Sequence, residues 1–345
     1  MNHMMREILS QPEIIEKCII ENRAIALEIA GVIKKRNIRH IWIAARGTSD
    51  HAAIYAKYML EIHTGIPVGL AAPSVITIYH ANLDFSDSLV IAISQSGKAL
   101  DALEVLRQGK RTGALTLALT NDGESPLARE AGYHISCLAG EEVSVAATKT
   151  FTSTLINLAL LTWAMTGKKD LMDEIASIPG IMETYLSRYE MPAGFIGRLK
   201  DMEECFVLSR GTGYPVALEG ALKIQETCYV RAKGYAISDF YHGPLAMMEK
   251  GFPVLVIAPG SSIDRDIRAI LDKLRDIGAK LIVFSDNIEF LELADMAFPM
   301  PEGLGYSSAP LIYTTAMQRF ACMLSLEKGL DPDRPRNLQK VTLTK

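Results

Sequence analysis

The sequence predicts an α/β protein of two tandem domains, each a doubly wound parallel sheet. Three observations predict it: an internal repeat, apolar runs that alternate with helical patterns, and small-residue turns at the ends of those runs. HIWIAARGTSDHAAIYAKYML (His40–Leu60) is matched by CFVLSRGTGYPVALEGALKIQ (Cys205–Gln225). Each reads as an apolar strand, then Arg-Gly-Thr, then an amphipathic helix, with Gly47 and Gly211 164 positions apart. DSLVIAISQSG (Asp87–Gly97) is matched by FPVLVIAPGSS (Phe252–Ser262), and Ala114 by Ala279, 165 positions on. Three landmarks at nearly one offset indicate a duplicated domain.

Taken in order, a helix is expected over Gln11–Lys35, followed by the strand and helix of the first repeat. The runs LVIAI, LTLALT, PVLVIA and KLIVFS lack polar alternation, which marks parallel strands buried on both faces. Helices follow at DALEVLRQGKRTGA and DIRAILDKLRDIGA. The stretch Leu171–Arg188 has a helical pattern and joins the halves, and DPDRPRNLQKVTLTK reads as an irregular arm. The expected division is an N-terminal helical segment (1–35), a first domain (36–170), a linker helix (171–195), a second domain (196–330) and a C-terminal arm (331–345).

Composition limits the function. The chain has 345 residues, 49% of them apolar, enough for two cored domains. The net charge of −4 is interspersed and no basic stripe exists, so a nucleic-acid partner is not expected. Cys18, Cys137, Cys205, Cys228 and Cys322 are far apart, with no disulfide or zinc spacing. They read as buried thiols in a reducing compartment. MNHMMREILSQPEIIEKC has no apolar signal core, and Leu155–Met165 is too short to span a membrane. A cytoplasmic location and no membrane partner are expected.

Chemistry-bearing residues gather at the turns. Ser94-Gln95-Ser96-Gly97 follows a strand and precedes a helix near Leu100. Hydroxyls and helix N–H groups there make either a phosphate cradle or a serine-capped helix start. Arg46-Gly47-Thr48-Ser49 is a second hydroxyl turn of the same kind. In Glu141–Thr152, Lys149 falls in a first helical turn, where a cation opposes the dipole. That placement suggests an external partner for its charge; the alternative is a snorkelling surface lysine. Glu219, Lys223 and Glu226 share a helix face. They form either an exposed salt-bridged face or a proton-moving carboxylate tuned by a lysine. His242 is held before a Gly-Pro turn and suits acid–base work, or has no such role. Lys340 on the tail could close over a ligand or be simply solvated.

Together RGTS, SQSG, VAATKTFT, ALEGALKIQE, HGPLA and PRNLQK, in that order, resemble the SIS (sugar isomerase) family over about residues 23–345. These motifs look most like the isomerase half of glucosamine-6-phosphate synthase and its stand-alone relatives. The resemblance implies flavodoxin-like SIS domains that bind a sugar phosphate without metal or other cofactor. It implies that Ser94, Gln95, Ser96, Thr48 and Ser49 hold the phosphorylated sugar and that Glu142 and Val145 line the sugar. Glu226 would shuttle a proton between C1 and C2 with Lys223 beside it, His242 would open the ring, and Lys340 would contact the open-chain carbonyl. His242 would reach the site of a partner subunit, which implies a homodimer.

The chain departs from the synthase pattern in four places. Ala99 stands for a threonine, leaving Lys98 to compensate. Ala147 stands for a serine, Lys233 for a glutamate and Val341 for a serine. No glutaminase domain is expected ahead of the repeat, because Asn2 stands where the synthase has its cysteine. The resemblance therefore implies an amino-sugar-phosphate deaminase that converts glucosamine 6-phosphate to fructose 6-phosphate and ammonia. The rivals are a fructosamine-6-phosphate deglycase, a non-amino aldose–ketose isomerase and a non-catalytic sugar-phosphate sensor.

Overall fold

The computed structural model describes residues 1–189, 191, 193–259 and 263–340. Residues 260–262 of the second repeat and residues 341–345 of the expected arm lie outside the described residues. The chain divides into two compact units. One gathers Ser10–Glu142, Lys149–Ser177 and the chain from Gln339; the other gathers Met1–Leu9, Val143–Thr148 and Ile178–Leu338. Strands β1–β5 are His40–Ala44, Val68–Leu70, Ser88–Ile93, Leu115–Thr120 and Tyr133–Ser136. Strands β6–β10 are Glu204–Ser209, Arg231–Ala236, Pro253–Ala258, Lys280–Ser285 and Met296–Pro299. Helices α1–α8 are His3–Leu9, Gln11–Glu21, Arg23–Lys35, Thr48–Thr64, Ser74–Thr77, Leu100–Arg111, Pro126–Glu130 and Lys149–Thr166. Helices α9–α15 are Lys169–Arg188, Ala193–Gly197, Tyr214–Cys228, Ile237–Phe240, Asp264–Ile277, Ile288–Leu291 and Ala309–Glu327.

The first sheet runs β2-β1-β3-β4-β5 and is parallel throughout. Its central strands β3 and β4 are buried at every residue, as their unbroken apolar runs predict. This is the flavodoxin-like order, in which the chain leaves β1 towards one sheet edge and β3 towards the other. The turns that follow β1 and β3 therefore stand at the topological switch point. Val90, Ala102, Val105, Leu106 and Leu127 are part of the core on one face. Helix α8 is buried almost all round and packs against α2, α3 and α4.

The second sheet, β10-β9-β8-β6-β7, repeats that order and is also parallel. Each strand and helix from β1 to α8 has a counterpart from β6 to α15, so the duplication is complete at the level of elements. Phe206, Phe240, Phe252, Ile270 and Leu274 belong to its core. Helix α11 lies against β6 and β7 and against α15.

The expected single helix over Gln11–Lys35 is instead two, α2 and α3, with a separate α1 before them. The break falls at Asn22, whose amide donates to Ser136 O and Asn157 Oδ1, both at 2.8 Å. These partners come from distant parts of the chain, so the local hydrophobic period could not reveal the break. Among the described residues, no helix is long and apolar enough to cross a membrane.

Candidate active site

The switch point of the first sheet carries the two hydroxyl turns. Ser94 N donates to Leu119 O and Gly97 N to Ser94 O, closing a tight loop after β3. Gly97 has φ +63°, and a Cβ there would stand 2.0 Å from Ser125 Oγ. Only glycine fits, since both the backbone sign and the space exclude a side chain. The N-cap of α6 is Ala99, with no side-chain cap. Ser94 and Ser96 are therefore not the caps of this helix, and the serine-cap alternative does not hold. Thr48 opens α4, whose N-cap is Gly47, again without a side-chain cap. Two helix N-termini thus rely on something other than their own N-cap side chains.

Asn121 braces this loop. Its N–H donates to Gln95 O at 2.9 Å, its Nδ2 donates to Gly140 O at 2.7 Å, and its Oδ1 accepts from Ala139 N at 3.0 Å. One residue so links the Ser94–Gly97 loop to the segment leading into Glu142. The Glu142 side chain is fully buried and accepts from Thr150 N (3.1 Å), Thr150 Oγ1 (2.8 Å) and Lys340 Nζ (2.7 Å). The carboxylate sits at the start of α8, where the helix dipole favours a negative charge. The tail lysine is thus held by a named partner rather than solvated. Lys149 is neither a surface lysine nor in need of an external partner: it is buried and donates to Glu141 O at 2.6 Å. These residues all belong to the unit built on the first sheet.

The second unit holds the other set. Lys223 is completely buried, its Nζ 3.2 Å from Glu219 Oε1 and 2.5 Å from Glu226 Oε2. Glu219 is 1% exposed and Glu226 20%. The exposed salt-bridged face that the spacing also allowed is therefore not what forms, because the sheet and α15 cover α11. Burial works against the lysine's charge, but the two carboxylates outweigh it and raise the Lys223 pKa above its ordinary value. Glu226 is the member of this cluster that is still partly open to solvent. Gly234 of β7 allows the close approach of α11: a Cβ there would be 2.8 Å from Ala217 O. His242 is exposed on the turn after α12, its N–H donating to Asp239 O at 3.0 Å.

Val145 belongs to a short segment supported by residues that sequence reasoning missed. Its N–H donates to Asp333 O. The Asp333 carboxylate caps α1, accepting from His3 N and Met4 N, both at 2.7 Å. From α1, buried Glu7 accepts from Val143 N and from Ser144 N and Oγ. Arg336 stacks on Tyr229 at 4.1 Å, and its N–H donates to the phenol oxygen. A lone glutamate in an amphipathic helix and an aspartate in a Pro-rich tail carry no local signal for such roles. The five thiols are all buried and free, and burial raises the pKa of each, Cys18 to about 12 and Cys137 to about 11. Among the described residues, no cluster of His, Cys, Asp or Glu fits a metal ion.

The SIS domain matches residues 35–164 and again residues 198–327. A glutamine–fructose-6-phosphate aminotransferase (isomerizing) of Methanothermobacter thermautotrophicus is 35% identical over 341 residues, covering 98% of this chain and 56% of the relative. The chain thus spans little more than half the length of such relatives. The C-terminal domain of glucosamine-fructose-6-phosphate aminotransferase from Francisella tularensis superposes with a TM-score of 0.86 at 30% identity. That match covers 97% of this chain and 98% of that one. A glucosamine-6-phosphate deaminase from Thermotoga maritima shares the fold, with a TM-score of 0.78 at 21% identity over 99% and 100% of the two chains. The chain therefore belongs to the SIS domain family and carries two copies of that domain.

Proposed function

We propose that the protein is an amino-sugar-phosphate deaminase that converts glucosamine 6-phosphate and water to fructose 6-phosphate and ammonia. The observation that carries the reading is the buried Lys223 with its carboxylates at 3.2 and 2.5 Å. A base that abstracts a proton next to a carbonyl must be reachable by the substrate and held in place, and Glu226 is partly exposed and paired with Lys223. Relatives named for work on glucosamine and fructose 6-phosphates support the substrate class.

In this reading Ser94, Gln95, Ser96, Thr48 and Ser49 bind the phosphoryl group, using hydroxyls and the helix N-termini. His242, acting from a second copy of the chain, opens the pyranose ring. Glu226 takes the C2 proton of the open-chain amino aldose and returns it to C1. The resulting C2 imine is hydrolysed by water, so the C–N bond breaks and ammonia leaves. Lys340 on Glu142 faces the carbonyl end of the sugar, and Val145 lines it. Release of ammonia from glucosamine 6-phosphate tests the proposal: wild type should turn over, and Glu226→Gln should retain binding while losing at least about a hundredfold in rate. No ammonia above the Glu226→Gln background would reject it. Turnover of a fructosamine 6-phosphate or a non-amino aldose phosphate instead would move the assignment to a deglycase or an isomerase. Binding without any turnover would make it a sensor.

A further inference from the structure

We propose that Arg46 is an additional phosphoryl-binding residue of the first switch point, held in position by Asp101. The inference rests on the reading that the Ser94–Gly97 turn holds phosphate. Arg46 lies two residues beyond the end of β1, and Asp101 stands in the first turn of α6, just beyond the Ser94–Gly97 loop. Arg46 Nε donates to Asp101 Oδ2 at 2.7 Å. The ion pair therefore ties together the two turns at which an open parallel sheet binds its ligands.

The pair is asymmetric in its burial. The Asp101 side chain is 5% exposed and that of Arg46 50%. Asp101 also accepts from Ala102 N at 2.9 Å, which fixes it at the helix start. A fixed, buried acid gripping only Nε leaves the terminal nitrogens of the guanidinium on the open side, and these take no partner among the described residues. A planar fork with two remaining nitrogens suits a phosphoryl group.

Charge gives a second reason. Asp50 in the first turn of α4 and Asp101 in the first turn of α6 place two carboxylates at the same end of the sheet. A phosphoryl dianion would be repelled there without a cation. Burial raises the Asp50 pKa, against the lowering effects of His51 and Arg46, so the arginine's field already reaches that carboxylate. Lys98 is exposed, and no hydrogen bond or ion pair fixes its ammonium among the described residues. Arg46 is the better-organised cation.

The repeat supplies an internal control. Arg210 pairs with Asp266 in the first turn of α13, but here both partners are partly exposed, at 37% and 45%. If such pairs are only staples, Arg46 and Arg210 should behave alike.

The test titrates wild type, Arg46→Ala, Arg46→Lys, Ser96→Ala and Arg210→Ala with fructose 6-phosphate, inorganic phosphate and fructose by calorimetry. Arg46→Ala should weaken the two phosphate-bearing probes by about tenfold to a hundredfold, and by the same factor for each. Arg46→Lys should also lose affinity, because one ammonium cannot reproduce a fork held at Nε; it carries the test if circular dichroism shows the alanine variant unfolded. Arg210→Ala should stay within about twofold of wild type. Wild-type affinity in both Arg46 variants, with Ser96→Ala weakened, would overturn this proposal and leave the phosphate reading intact. Unchanged affinity in all variants, or no binding to wild type, would overturn both.

Discussion

Lys223 concentrates the electrostatics of α11 in one atom. Its ammonium is out of water and is compensated by the two carboxylates it touches. Such a cluster is poor evidence for stability but costly to break, because removing one member leaves the others buried and uncompensated. Lys223→Met should therefore lower the unfolding free energy by about 3–5 kcal/mol, read from urea denaturation. Adding Glu219→Gln should recover part of that loss by removing one stranded charge. A Lys223→Met protein as stable as wild type would show that the cluster is hydrated rather than buried. The spacing of Glu219, Lys223 and Glu226 was legible from the sequence, since three- and four-residue steps share a helix face. Whether that face met water or protein was not legible, because the covering elements come from β6, β7 and α15.

Among elements, the β3–α6 turn is the most constrained. Its glycine is fixed by its own backbone and by Ser125, which lies on the β4–α7 connection and caps α7 through its Oγ at 3.4 Å from Ala128 N. Gly97→Ala must strain the left-handed backbone, at about 1–2 kcal/mol, and displace Ser125. The expected result is a lower melting temperature together with weaker sugar-phosphate binding. Loss of stability with unchanged binding would mean that the turn does not hold the ligand. The turn itself was readable in the sequence, because a strand ending in Ser-Gln-Ser-Gly before a helix is local information. Its support by Asn121 and Ser125 was not, because those residues arrive from the next strand.

For the whole molecule, pH dependence follows from groups scattered through the fold. Burial lowers the pKa of His134 and of His63. The Thr120 hydroxyl donates to Asp122 O and is 2.9 Å from His134 Nε2, so the ring nitrogen is the donor in that bond. A histidine depressed on folding contributes stability that is complete above its unfolded value of about 6.5 and is lost as pH falls through the folded value. Lys57 holds Glu61 low despite partial burial, and Lys110 holds Glu130 low, giving a second loss below the ordinary carboxylate range. Asp50, raised by burial, acts in the opposite direction. The melting temperature should fall as pH drops below about 6.5 and fall again below about 4.5. His134→Gln combined with His63→Gln should flatten the first stage, and an unchanged profile in that variant would refute the assignment.

The sequence alone determined the duplication, the parallel α/β class and the turns that carry the hydroxyls, because each is written in periodicity, offset or local turn chemistry. The tertiary structure decided the rest: the helix break at Asn22, the burial of Lys223, the hold of Glu142 on Lys340, and the support of the Val143–Thr148 segment by Glu7 and Asp333. In each of these a residue meets a partner, or for Lys223 a covering element, that lies far along the chain. Burial and pairing of that kind depend on which surfaces the fold brings together, and no window of local sequence contains them.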